Sequence, residues 1–135
     1  MEKAKKQPTI GSIGTSLSEI KGIVYLASPY SHDDPRVIKK RIERLCRVDA
    51  KLMKQSIYTV SPLMKHFIIE YESLPGDWDF WQKYSRELLL HVSALIVLMI
   101  PGWMTSAGVR EEIKEAEELG LKVYYIDEEL NCYYP

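Results

Sequence analysis

The chain has 135 residues, 46% of them hydrophobic and 27% charged, which suits one globular domain with one core and excludes a disordered chain. A net charge of −1 supplies no basic field and argues against a dedicated nucleic-acid binder. The longest apolar run, Ala94 to Ile100, is too short to cross a membrane. No apolar segment follows the early lysines as in a secretory signal, so the expected compartment is the cytoplasm.

Residues 1–21 are polar and read as a loose arm, with one short helical piece near Ser16 to Ile20; residues 22–135 form the domain. Ile23 to Ala27 is a short β-rich run. It stops at Ser28-Pro29-Tyr30-Ser31-His32, a loop placed where the first strand of an α/β domain meets a ligand. Ser28, Tyr30 and His32 are the candidates there, against ordinary turn chemistry. Pro35 opens a helix that runs to about Gln55, with Ile38, Ile42, Leu45, Leu52 and Met53 at helical spacing. Its many lysines and arginines read as a solvated face, with Arg36 and Lys39 near enough to the Tyr30 loop to reach a phosphate. Cys46 falls in this pattern as a core-edge thiol; with Cys132 it makes neither a metal-ligand spacing nor a disulfide framework.

Ile57 to Val60 is the second strand, ended by Ser61-Pro62. Leu63 to Tyr71 reads as a helix over the sheet edge, with His66 as a surface or packing residue. No second ligand stands at metal spacing from it, so no metal is expected. After the turn Leu74 to Asp77, a helix starts at Trp78 and runs to about His91, with Asp77 as its N-cap. Trp78, Phe80 and Trp81 in its first turns are either core or an aromatic wall that stacks a nucleobase.

Ala94 to Ile100 is apolar on both faces and therefore a central strand. A loop with Gly102, Trp103, Ser106 and Gly108 leads into a helix, and Val123 to Ile126 is the next strand. At about 100° per residue, Val109, Ile113, Ala116, Leu119 and Gly120 share one arc of the helix. Glu112 falls inside this arc, whereas Glu111 falls outside it. Burying a carboxylate unpaired costs several kcal/mol (roughly 2–7 for a polar group, more for a charge). Glu112 is therefore either a cap or partner of a buried cation, or a catalytic carboxylate at the carboxyl edge of a parallel sheet. The order of elements implies a doubly wound, mostly parallel sheet of four or five strands with helices on both faces. Right-handed crossovers would gather Tyr30, Trp103, Ser106 and Glu112 at one edge.

Three stretches, YLASPYSHDDP, LPGDWDFWQKYSREL and PGWMTSAGVREEIKEAEELGLKV, stand in order within residues 23 to 126. In them the chain resembles the nucleoside 2-deoxyribosyltransferase-like proteins, and within these a small branch similar to nucleotide N-glycosidases. The resemblance implies cleavage of the N-glycosidic bond of a (deoxy)nucleoside or nucleotide. Glu112 would attack the anomeric carbon, kept ionised by the helix N-terminus, and a covalent glycosyl-enzyme would form. Hydrolases then pass the sugar to water; transferases pass it to another base. Ser106, where transferases tend to hold an acid, favours a 5′-monophosphate over a free nucleoside, with Gly108 behind it at a helix N-terminus. Tyr30 would lie near the sugar and the nucleophile. Ser28, Pro29, Gly102, Trp103 and Trp81 would line the site, and Asp79 or Asp77 would contact the base. Ser85 and Ser93 stand where the family usually carries acids, which leaves proton donation to the base unassigned.

The expected reaction is thus base release from a (deoxy)nucleoside 5′-monophosphate to water, without a cofactor. The alternatives are a deoxyribosyltransferase and a non-catalytic nucleotide sensor on the same fold. The implied partners are a small nucleotide or nucleoside and further copies of the chain as a homodimer or higher assembly, with neither nucleic acid nor membrane.

Overall fold

The computed structural model describes residues 17–133, so residues 1–16 of the predicted arm and the last two residues of the domain lie outside the described residues. The arm's predicted helical piece is a single 3₁₀ turn, Leu17–Glu19, whose Leu17 is fully buried.

Five strands form one sheet in the order β2-β1-β3-β4-β5. They are β1 (Ile23–Ala27), β2 (Tyr58–Val60), β3 (Ala94–Leu98), β4 (Lys122–Ile126) and β5 (Cys132–Tyr133). The first four are parallel, and β5 adds antiparallel to β4. This last strand lies beyond Val123 to Ile126, the last element read from the sequence. The Asp127 carboxylate folds the chain back by accepting from the amides of Glu129 and Asn131, both at 2.9 Å. All five residues of β3 are buried, as a central strand requires.

Parallel strands need helical crossovers, and these lie on both faces. Helix α1 (Pro35–Lys54) starts on Asp34, whose side chain accepts from the Arg36 amide, and has Pro35 in its first turn. It buries Leu45, Val48 and Leu52 against Val24, Leu26, Ile96 and Ile126. Met53 and Cys46 are exposed, so the predicted apolar arc was slightly misplaced and Cys46 is not a core-edge thiol. Residues Leu63 to Tyr71 divide into a 3₁₀ turn (Pro62–Lys65) and a short helix α2 (His66–Glu72) with no buried residue. Helices α3 (Trp78–Leu89) and α4 (Ala107–Glu118) cover the other face, where Leu89, Val109 and Ala116 pack on Tyr25, Ala27, Leu95 and Val97. The fold is therefore the expected α/β sheet with helices on both faces.

Candidate active site

From β1 the chain moves to β2 on one side and returns to β3 on the other. The loops after β1 and β3 part at their carboxyl ends, and such a switch point is where open α/β sheets bind ligands. A cavity of about 320 Å³ opens there, within the roughly 300–1,000 Å³ of small-molecule sites. Ser28 and Tyr30 line it from the β1 loop, Ser106 and Gly108 from the start of α4, and Trp78 and Trp81 from α3. Leu63 and Ile69 bring apolar surface from the 62–72 segment, and Glu112 lines it from the second turn of α4.

Glu112 is only 8% exposed. Its Oε2 accepts a hydrogen bond from the hydroxyl of Tyr25, a β1 residue with no exposed surface. Ser85 on α3, also buried, stands beside the same Tyr25 hydroxyl and draws its titration down. Three elements thus meet on one phenol, because period-2 alternation turns Tyr25 toward α3 and α4 while its neighbours Val24 and Leu26 face α1. Burial pushes Glu112 up to about 8; the Tyr25 bond pulls it down, and the nearby Glu115 pushes it up again. This corrects the expectation that the helix N-terminus keeps Glu112 ionised. Ser106 is the N-cap, so Glu112 sits beyond the first turn where a helix end acts. Burial, and then the charge of Glu112, hold the Tyr25 hydroxyl well above the usual phenol range, so it remains a donor.

Tyr25 is the functional residue that sequence reading missed. It stands inside an apolar run and reads there as core. The available signal was its hydroxyl, since a tyrosine on a buried central strand needs a polar partner. Tyr30, expected beside the nucleophile, instead has its hydroxyl within hydrogen-bond distance of His66 Nδ1, at 2.8 Å.

The remaining predicted residues divide. Ser106 Oγ accepts from the Val109 amide at 3.2 Å, capping α4. The amides of Ala107 and Gly108, at the first positions of the helix, have no intrahelical carbonyl to meet and open beside the cavity. Ser28 Oγ is buried without a partner among the described residues, the condition of a group that a ligand would satisfy. Asp77 lines the cavity and precedes α3, but its side chain makes no capping bond. Trp81 lines the cavity with its Nε1 donating to Pro75 O at 2.6 Å, and Trp78 joins it.

Asp79 is exposed on α3 and lies outside the cavity lining, because α3 turns it away from the face that carries Trp78, Trp81 and Ser85. Pro29 is buried behind the lining. Gly102 and Trp103 line a separate shallow groove with Met99 and Met104, since the β3 loop carries Trp103 back onto Tyr125, ring centroids 5.7 Å apart. Arg36 is engaged by Asp34 at 3.0 Å, and His32 Nδ1 accepts from the Asp34 amide at 2.9 Å, which is turn chemistry. Ser93 ties β3 to Ile23 O at the amino end of the sheet, away from the cavity. Among the described residues no group of three His, Cys, Asp or Glu could hold a metal, and no helix is long and apolar enough to cross a membrane.

The arrangement is a sheet-edge pocket with one buried carboxyl, a phenol donating to it, an anion-ready helix start and an indole wall, as in α/β proteins that bind small molecules at a switch point. Residues 22–128 match the family model described as a domain of unknown function, DUF1937, and the chain belongs to that family. The comparison with curated proteins gives no match.

Proposed function

We propose that the protein cleaves the N-glycosidic bond of a (deoxy)nucleoside 5′-monophosphate, with Glu112 as nucleophile and water as final acceptor of the sugar. The observation that carries this reading is the Glu112 carboxyl, buried at the cavity wall and hydrogen-bonded to Tyr25. A buried carboxyl with a single fixed donor keeps one oxygen oriented by the phenol and the other for attack on an anomeric carbon. The cationic character that develops on the sugar offsets the burial that holds Glu112 at about 8, so the carboxylate is favoured most in the transition state.

Ser106, the Ala107 and Gly108 amides and the unpartnered Ser28 Oγ together suit a 5′-phosphate. Trp78 and Trp81 suit a flat base, with Asp77 at its edge. We assign the reaction to the cytoplasm, with which the exposed thiol of Cys46 is compatible.

The test is chromatography of the protein with the common ribo- and deoxyribonucleoside 5′-monophosphates and nucleosides, with and without a second base. Free base from a monophosphate alone is expected, and Glu112→Gln should abolish it while the fold persists. A new nucleoside formed only with the second base would make the protein a transferase. Binding by calorimetry without any base release would make it a sensor, a reading that the alcohol of Ser85, in place of an acid at the cavity wall, favours.

A further inference from the structure

Breaking a C–N glycosidic bond leaves the electron pair on the base, and a neutral base leaves slowly unless it is protonated. Of the other groups around the cavity, Ser85 is an alcohol, Glu112 is committed to the sugar, and Asp77 is an exposed side chain at the rim with no group behind it to resupply a proton among the described residues. A third titratable set reaches the cavity from the β1 loop and α2. Tyr30 lines it, and its hydroxyl is 2.8 Å from His66 Nδ1. His66 has 12% of its side chain exposed, and its Nε2 stands 3.6 Å from Glu70 Oε2, one turn along α2. The site of Tyr30 is fitted closely: Gly76 brings its Cα side against the ring, where a Cβ would lie 3.4 Å from Cε2, and Ser31 Oγ donates to Gly76 O at 3.0 Å.

This is a carboxylate–imidazole–phenol chain that runs from solvent to the cavity. Glu70, 56% exposed, is its outer end and the phenol its inner end. A histidine in the 62–72 segment explains itself as packing only if it needs no polar partner on either nitrogen; His66 faces one on each.

We propose that Tyr30 is the proton donor to the departing base and that His66, backed by Glu70, resupplies it. The inference rests on the N-glycosidase reading of the pocket. With His66 protonated, its Nδ1–H donates to Tyr30 Oη, which turns the phenolic hydrogen toward the cavity. As the C1′–N bond breaks, its electron pair goes to the base nitrogen, which takes the Tyr30 proton. Tyr30 Oη takes the Nδ1 proton of His66, and Glu112 forms the bond to C1′. Water then displaces Glu112 from C1′: its oxygen forms the new bond, the Glu112 carboxylate leaves, and the proton that water sheds passes to Tyr30 Oη as the phenolic proton passes back to His66 Nδ1. Burial and the charge of Glu70 hold the Tyr30 hydroxyl above the usual phenol range, so it does not rest as a phenolate. Tyr30 is in this account a catalytic residue and His66 a positioning and proton-supplying one.

The test compares two substrates in wild type, Tyr30→Phe and His66→Gln. One is a nucleotide that the wild type cleaves; the other is 4-nitrophenyl 2-deoxyriboside 5-phosphate, whose leaving group departs as a stable anion and needs no proton. Both variants should lose on the order of 100-fold in kcat on the nucleotide and less than about threefold on the nitrophenyl substrate, on the same reasoning. The second substrate also reports whether each variant folds. Equal losses on both substrates would give these residues a structural role and overturn the proposal. So would undiminished nucleotide cleavage, or the same leaving-group pattern produced by Asp77→Asn and not by Tyr30→Phe. A wild type inert to every nucleotide and to the nitrophenyl substrate would instead remove the N-glycosidase reading itself.

Discussion

A carboxyl with one donor and, among the described residues, no cation beside it titrates where burial puts it, and for Glu112 that is about 8. Attack requires the ionised form, so cleavage of the nitrophenyl substrate, which needs no proton donor, should climb about tenfold per pH unit below 8 and level off above it; a pH–rate profile of kcat/KM checks this. Removing the Tyr25 hydroxyl takes away the bond that lowers Glu112, so Tyr25→Phe should move this limb to higher pH. At pH 7 the loss should be on the order of tenfold. The same group governs stability. An acid whose folded-state value lies above its unfolded one keeps a proton that the unfolded chain has released, so its contribution is fully present below about 4.5 and is lost as pH rises through about 8. Glu112→Gln should therefore melt near the wild-type temperature at pH 4. At pH 8 it should be the more stable protein by on the order of 3 kcal/mol, measurable by denaturant titration at both pH values.

The elements at the pocket are held unequally. Helix α4 begins on Ser106, and Ser106→Ala should cost about 1 kcal/mol through the lost cap; it should also raise KM for a monophosphate more than for the nucleoside. Arg86 on α3 pairs with Glu115 on α4 at 2.5 Å, but Arg86 is 54% exposed and solvent screens the pair, so Arg86→Ala should lower the melting temperature only slightly. The two loops of the switch point are braced by Arg41, which donates to Ser31 O at 2.8 Å and lies against Gly102. Gly102 has φ +99°, a backbone conformation that L side chains rarely adopt, and an added Cβ would also push aside the movable Arg41 guanidinium. Gly102→Ala should then destabilise by about 1–2 kcal/mol, and a thermal melt of that variant is the check.

At the scale of the whole molecule, the sheet and its switch point were legible because they depend on hydrophobic period and on connection length. The run from Ala94 is apolar on both faces, and crossovers of helix length leave a parallel sheet as the outcome. The burial of Glu112 was legible for the same reason, as a charge on the wrong arc of a helix. What escaped were features decided by contact. Tyr25 is indistinguishable from a packing residue until α3 and α4 are placed over β1. Trp103 lies in the right loop but turns onto Tyr125. Asp79 lies on the right helix but on its outer side. Strand β5 is two residues long and depends on the Asp127 turn, which carries no periodicity to read.

The account stands on a covalent bond to one oxygen of Glu112, and trapping that bond tests it most directly. The protein would be incubated with a 2-fluoro-arabinosyl nucleoside 5′-monophosphate, in which fluorine slows the release of the sugar, and then digested for mass spectrometry. We predict one modified peptide, carrying the fluorinated sugar phosphate on Glu112, and none in Glu112→Gln. Steady base release from natural monophosphates with an unmodified Glu112 peptide, and undiminished by Glu112→Gln, would contradict it.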